Sequence, residues 1–277
     1  MANGRGKKKG RGTGSAVKVE VENGIQFITL NRPERLNTFT LEMFDAFGAA
    51  IDQAHRNEKV RGVVIAGAGR VFCAGLDINL FTLLHDKTIH NPTGRDFLRM
   101  AQDVFIEKIE ALEKPVICCW HGVAAGGGFE IGIGCDFRIM TRDARAGCTE
   151  VRLGVIPEAG GCHRLSRIVG LGRAKELVMT GKMIGAEEAE RIGLVNRVVP
   201  TQQDLKPAAI EFLNQFKACG PLAVGLAKKA IDRSFGMDPR AGLELEVLTG
   251  NVLYATEDAY EGYRAFIEKR KPKYRGR

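Results

Sequence analysis

Glu130, Glu150 and Glu158 lie in one stretch of the chain, behind a run of three glycines at Gly126, Gly127 and Gly128. Glycine lets a backbone N–H approach a ligand with no Cβ in the way, and a carboxylate can take up or give a proton. Together they suit carbonyl activation, in which N–H donors hold the charge that builds on an oxygen while acids move protons beside it. The run follows an apolar, strand-like segment at 115–120 and stands where a helix can begin, so a helix N-terminus would add its positive end. A glycine run alone serves close helix packing equally well. A second stretch tips the balance: F-C-A-G-L-D-I at 72–78 ends another strand-like run, 63–66, and places a further amide beside Gly75. Two strand ends, each with a glycine-lined amide, permit a two-donor oxyanion hole.

Other chemistries find little support. The three serines, Ser15, Ser166 and Ser234, stand in no G-x-S-x-G elbow, and there is no P-loop and no H-E-x-x-H. The five histidines have no ligand spacing, so neither a metal nor a nucleotide cofactor is implied. His121 reads as a strand-end histidine with its hydrogen bonds satisfied. Seven cysteines form no C-x-x-C pair. Cys118, Cys119 and Cys135 sit among apolar residues and read as buried thiols of a reducing, cytoplasmic protein. Cys73 and Cys162 lie near the proposed site, where exposure would make a reactive thiol, although buried, inert sulfur is the commoner state.

The elements that must position these groups follow from periodicity. Residues 17–22 and 25–30 alternate apolar and polar positions around Asn23-Gly24, a hairpin signal. Residues 39–56 repeat apolar positions at helical spacing, and 60–66 is a buried strand, so the order strand, helix, strand predicts a right-handed parallel crossover. Residues 81–95, polar and carrying His85 and His90, read as a loop over the site, followed by a helix at 96–112. Strands are expected at 116–120 and 137–140, a helix from 163, and only helices after Gly170, with breaks at Gly181, Gly193, Pro200 and Gly220-Pro221. Net charge is +8 over 277 residues. The excess lies in Arg5, Lys7, Lys8, Lys9 and Arg11 and in six basic residues among the last nine, so the body is nearly neutral and nucleic acid is not an expected partner of it. No apolar run is long enough to cross a bilayer.

The ordered motifs resemble the enoyl-CoA hydratase/isomerase family, the crotonase superfamily, from about residue 17 to 274. They are N-R-P-E-R-L-N at 31–37, F-C-A-G-L-D-I at 72–78, K-P-V-I-C-C-W-H-G-V-A-A-G-G-G-F-E at 114–130, Cys135-Asp136, L-G-V-I-P-E-A-G-G at 153–161, the pattern of 174–200, and F-I-E-K-R-K-P at 266–272. The resemblance implies an α/β fold, a crotonase-like spiral of repeated ββα units with a C-terminal helical trimerisation region. The expected division is a basic arm at 1–16, the spiral core at 17–200 and the helical region at 201–277. It also implies a trimer, or a hexamer of paired trimers, acting on an acyl-CoA thioester without cofactor, metal or membrane.

Carried over residue by residue, the oxyanion donors fall on the N–H groups of Leu76 and Gly127. Hydratases of the family hold water between two glutamates, which here are Glu130, expected to deprotonate the water, and Glu150, expected to protonate Cα. The coenzyme is expected along Arg35, Leu36, Ala74, Gly75, Asp77, Ile78 and Gly126, with Phe266 and Lys269 reaching in from the C-terminal region, and Asp77 orienting backbone rather than touching phosphate. Glu158 departs from the hydratase pattern, which has glycine there, and matches dienoyl-CoA isomerases. The expected activity is hydration of a trans-2-enoyl-CoA. The alternatives are double-bond isomerisation through Glu150 and Glu158, a Glu158 that points away or pairs with Arg152, and a non-catalytic protein whose basic ends bind RNA or an acidic partner.

Overall fold

In the computed structural model, which describes residues 15–80 and 92–277, β1 (Val17–Glu22) and β2 (Ile25–Leu30) pair antiparallel from Val17 opposite Leu30 to Glu22 opposite Ile25. Asn23 and Gly24 turn the hairpin with φ of 51° and 80°, the left-handed pair that such a two-residue turn requires. The chain then repeats one unit: a strand in a large sheet, a short extended piece in a second layer, and a helix. Thus β2 leads to Phe39 and α1 (Leu41–Arg56), and β3 (Gly62–Gly67) leads to the extended piece around Cys73 and then α2 (Pro92–Gln102). A π-turn (Asp103–Glu107) joins α2 to α3 (Lys108–Ala111) where the sequence predicts one helix. Next, β4 (Val116–Trp120) leads to β5 (Val123–Ala125) and α4 (Gly127–Gly134), and β6 (Phe137–Thr141) to β7 (Arg145–Gly147) and a 3₁₀ turn (Glu150–Leu153).

After α5 (His163–Val169) and α6 (Leu171–Thr180) the structure corrects the purely helical expectation. Around α7 (Ala186–Arg191) stand two short strands, β8 (Ile184–Gly185) and β9 (Arg197–Val199). They close the open edges of the two sheets, which run β1-β2-β3-β4-β6-β9 and β5-β7-β8. Segments of two and three residues carry no period of their own; the unpaired edges of β6 and β7 recruit them.

From β2 to β9 all neighbours in the large sheet are parallel, and the sheet is covered on both faces. Ile28, Val63, Ile65, Cys118, Trp120 and Met140 face α1 and α4, while Phe27, Val64, Cys119 and Ile139 pack on Ala209 and Leu213 of α8 (Leu205–Asn214). α1 starts at Thr40, whose hydroxyl accepts from the Met43 N–H, and buries Met43, Phe44, Phe47, Ile51 and Ala54 at three- and four-residue intervals. Three helices follow: α9 (Pro221–Ser234), α10 (Pro239–Tyr254) and α11 (Glu257–Ile267). Lys228 fastens α9 to the core, 3.0 Å from the Asp136 carboxylate and donating to the carbonyls of Ile109 and Lys114. Most of residues 1–16, and residues 81–91 of the expected loop with His85 and His90, lie outside the described residues; 92–95, read as loop from the sequence, begin α2 instead.

Candidate active site

The first strand end is fixed from both sides. Cys73 N–H donates to Val123 O and Ala125 N–H to Cys73 O, so this piece runs parallel beside β5. Two residues on, Phe39 N–H donates to Gly75 O and Asp77 N–H to Phe39 O, each at 2.9 Å. Bonds that bracket Leu76 in this way turn its own N–H to the opposite side. Asn37 is the residue that holds the loop. Its buried side-chain amide donates to the carbonyls of Ala68, Val71 and Phe72, and its Oδ1 accepts from Arg32 N–H.

The second strand end is β5 running into α4. Gly126, at φ 54°, donates to Gly147 O and turns the chain, and Gly127 opens the helix, where a first-turn N–H has no intrahelical partner. Gly75, at φ 103°, meets this turn backbone to backbone: a Cβ built on it would stand 3.6 Å from Gly127 N. The Leu76 and Gly127 amides therefore converge, and among the described residues neither donates to an acceptor. The glycines divide the labour, since a Cβ on Gly128 would lie 2.5 Å from Cys73 O and one on Gly132 2.1 Å from the Trp120 ring. Packing and amide presentation are both served by one run.

The carboxylates enter from three elements. Glu130, on the first turn of α4, is 4% exposed; its Oε1 accepts from Gly161 N–H at 3.1 Å. Burial above all, then the charge of Glu150, pushes its carboxyl up to about 8 against the help of that N–H. Glu150 follows β7 and is 9% exposed; its Oε2 is buried with no partner, and burial, then the charge of Glu158, raises its pKa. Its Oε1 stands 3.3 Å from where a Cβ on Gly126 would be, beside the amide turn. Glu158 is half-buried, raised by burial, and its charge bears on both other acids. It does not pair with Arg152, which is exposed and lays its stem on Gly181. Gln102 fixes the turn that carries it, donating to Glu158 O at 2.8 Å.

Of the residues expected along the coenzyme, Leu36, Ala74, Gly75, Asp77 and Gly126 are brought together. Ala74 N–H donates to Leu36 O, and Leu36 itself adopts φ 52°. Asp77 orients backbone: its Oδ1 accepts from Asn79 N–H, which with Arg32 beside Oδ2 holds its pKa below the usual value. Arg35 and Ile78 are exposed, as is Phe266, 85% open on α11, so a single chain leaves it uncovered; Lys269 is also exposed. Cys73 corrects the reactive-thiol alternative. It is fully buried, donates to Asn37 O, and burial pushes its pKa up to about 12; only Cys162 of the two is exposed. His121 bonds through Nε2 to Gly69 O and Gln202, and its Nδ1 has no partner. The sequence marked Asn37 only as part of a motif and passed over Gln102. No local signal betrays either, since each acts on backbone far along the chain. Among the described residues no group of His, Cys, Asp and Glu is arranged to hold a metal ion.

Stacked strand-strand-helix units with paired amides at their strand ends and buried glutamates beneath define the crotonase fold class, and the chain belongs to the enoyl-CoA hydratase/isomerase family, whose model matches residues 20–277. The short-chain-enoyl-CoA hydratase of Clostridium acetobutylicum is 40% identical over 92% of this chain and 95% of its own. The crotonyl-CoA hydratase of Syntrophomonas wolfei is 36% identical over 92% and 96%. A crystal structure of an enoyl-CoA hydratase from Bacillus anthracis superposes with a TM-score of 0.86 at 37% identity, covering 95% of this chain and all of that one.

Proposed function

We propose that this enzyme hydrates a trans-2-enoyl-CoA to the 3-hydroxyacyl-CoA. The observation that carries the reading is the pair of buried carboxyls, Glu130 and Glu150, set beside two amides with no acceptor of their own. A thioester oxygen accepting from Leu76 and Gly127 N–H would have its developing charge stabilised by donors already in place, each worth on the order of 3 kcal/mol. The conjugated Cβ then becomes electrophilic toward a water held between the glutamates. Burial raises both carboxyls and the charge of Glu150 adds to the rise at Glu130, which suits a pair in which one acid holds a proton and the other is ionised. Burial favours that proton on Glu130, the deeper acid, whereas hydrogen bonding favours it on Glu150, because Glu130 has the Gly161 N–H and Glu150 Oε2 has no donor. With water bound between them we follow the hydrogen bonds: Glu130 takes the water proton and Glu150 gives its proton to Cα. The product needs no cofactor, since water supplies every atom added.

Arg35, Ile78 and the segment around Leu36 and Ala74 suit the coenzyme, and Phe266 and Lys269 would complete its cover from a neighbouring chain. Exposed apolar residues on α10 and α11 support assembly into trimers, singly or paired. Unpaired thiols suit a cytoplasmic setting, and none of the described helices is long and apolar enough to cross a membrane.

The presence of Glu158 beside both acids favours a second reading, double-bond isomerisation of a dienoyl-CoA. Turnover of a short trans-2-enoyl-CoA and of a 3,5-dienoyl-CoA, with Glu158→Gly as companion, separates them. Hydration that survives the substitution within about threefold is the expected outcome. Isomerisation that is faster than hydration and disappears with Glu158→Gly would replace the hydratase reading.

A further inference from the structure

Val104, Phe105 and Ile106 are all buried, three residues in a row on what would otherwise be a two-sided helix. An α-helix turns about 100° per residue, so one lying with a single face on the core would aim one of three successive side chains away from it. The π-turn at Asp103–Glu107 accommodates an extra residue and lets the whole segment face inward, toward α4. Phe105 Cε2 stands 3.1 Å from where a Cβ on Gly127 would be, so the ring lies flush on the backbone of one amide donor. The same ring meets Phe39 edge to face at 4.9 Å, and Phe39 is the residue whose two backbone bonds bracket Leu76, the other donor. Phe44 stacks on it from behind at 4.9 Å and Phe47 flanks it at 6.4 Å, which leaves the ring little freedom. Its neighbours grip the rest of the site: Phe105 O abuts Gly134 at the far end of α4, Ile106 Cδ1 packs on Gly134 and Gly160, and Gln102 holds Glu158 O.

We propose that Phe105, presented by the π-turn, is a positioning residue that fixes the gap and mutual orientation of the Leu76 and Gly127 amides. The proposal rests on the oxyanion role given to those amides above. The donors belong to strand ends far apart in the chain, and no hydrogen bond described joins one donor residue to the other. Ladder bonds of Cys73 to Val123 and Ala125 and the backbone contact of Gly75 with the Gly126 turn bring the strand ends together, and a rigid ring touching Gly127 on one side and Phe39 on the other adds a side-chain spacer to that contact. Preorganised donors lose most of their effect when they drift, and a misplacement of about 1 Å can cost about 100-fold in rate.

The test compares Phe105→Leu with Phe97→Leu. Phe97 is buried in the same cluster, edge to face on Phe44 at 5.5 Å, and appears in none of the Gly127 contacts. Three quantities are measured: kcat and KM on a trans-2-enoyl-CoA, thermal midpoint, and the red shift of a bound dimethylaminocinnamoyl-CoA, whose conjugated carbonyl reports polarisation by the donors. Phe105→Leu is expected to lower kcat about 10- to 100-fold with KM within about threefold, and to shrink the red shift, while Phe97→Leu loses comparable thermal stability and keeps both. Should Phe105→Leu not fold, Phe105→Met fills similar volume with a flexible chain and is expected to show the same loss of red shift at near-native stability. Equal loss of kcat in both leucine variants, or an unchanged red shift in the folded Phe105 variant, overturns the proposal. A wild-type enzyme that neither hydrates the enoyl thioester nor shifts the chromophore removes the activity reading itself, and this is seen before any substitution is made.

Discussion

α4 and α10 both mix glycines with large apolar residues, and the fold uses them in opposite ways. Every residue of α4 is buried, whereas only Gly242 is buried in the sixteen residues of α10. In α4 the near absence of side chains on one face lets the helix press against Cys73 and Trp120, which brings its first backbone amide to the site proposed above. In α10 the side chains are kept and left outward, with Leu243 and Val252 each 62% exposed. The first region is finished within one chain. The second is a surface that suits a second copy.

The largest effect expected from this contrast is at Glu150. Glu150→Gln should lower kcat about 10²- to 10⁴-fold, the worth of a positioned proton donor, with thermal stability unchanged or raised because a buried acid without a partner is removed. Steady-state hydration and thermal unfolding check it, and a variant keeping more than a tenth of the wild-type rate would break the division of roles. Next comes a matched pair of glycines. Gly126→Ala forces a Cβ onto a φ of 54°, 3.3 Å from Glu150 Oε1, and should cost about 1–2 kcal/mol in stability and at least tenfold in rate. Gly250→Ala on α10 meets nothing within 4 Å and should stabilise the helix by about 0.5–1 kcal/mol with the rate unchanged. Equal responses of the two variants would mean that α4 is not specially constrained.

The pH dependence of stability sharpens the same comparison. In the unliganded chain, where burial decides, the Glu130 carboxyl rises from an ordinary 4.5 to about 8 on folding. Between those values the folded chain holds a proton that the unfolded chain has lost, so stability falls as pH rises through this window and flattens above it, with a limiting slope of about 1.4 kcal/mol per pH unit. Chemical denaturation from pH 5 to 9 should show a shallower fall in Glu130→Gln; identical slopes would contradict the raised value. The smallest effect on the single chain is expected at Leu243→Ser. It should change unfolding free energy by less than about 0.5 kcal/mol while lowering the mass seen by light scattering. Unchanged mass would leave the exposed face of α10 without the role given to it.

Elements whose signal is local were legible in the sequence. The hairpin around Asn23-Gly24, the strand at Val116–Trp120 and the helix at Pro221–Ser234 appear at the boundaries their turn residues and periods imply. Glu130, Glu150 and the two glycine-lined strand ends were visible as candidates from residue type and spacing, and the resemblance supplied the roles proposed for them. What the tertiary structure decided is everything that depends on an open edge or a distant backbone. Two- and three-residue strands have no period and formed where β6 and β7 had unpaired amides. Asn37 and Gln102 bond carbonyls far along the chain, and the π-turn that seats Phe105 answers the shape of α4 rather than any propensity of its own residues. The sequence by itself determined which groups could act; only packing decided which amides converge, which acids lose their water and which ring holds them in place, because burial and long-range hydrogen bonds exist only once distant segments have met.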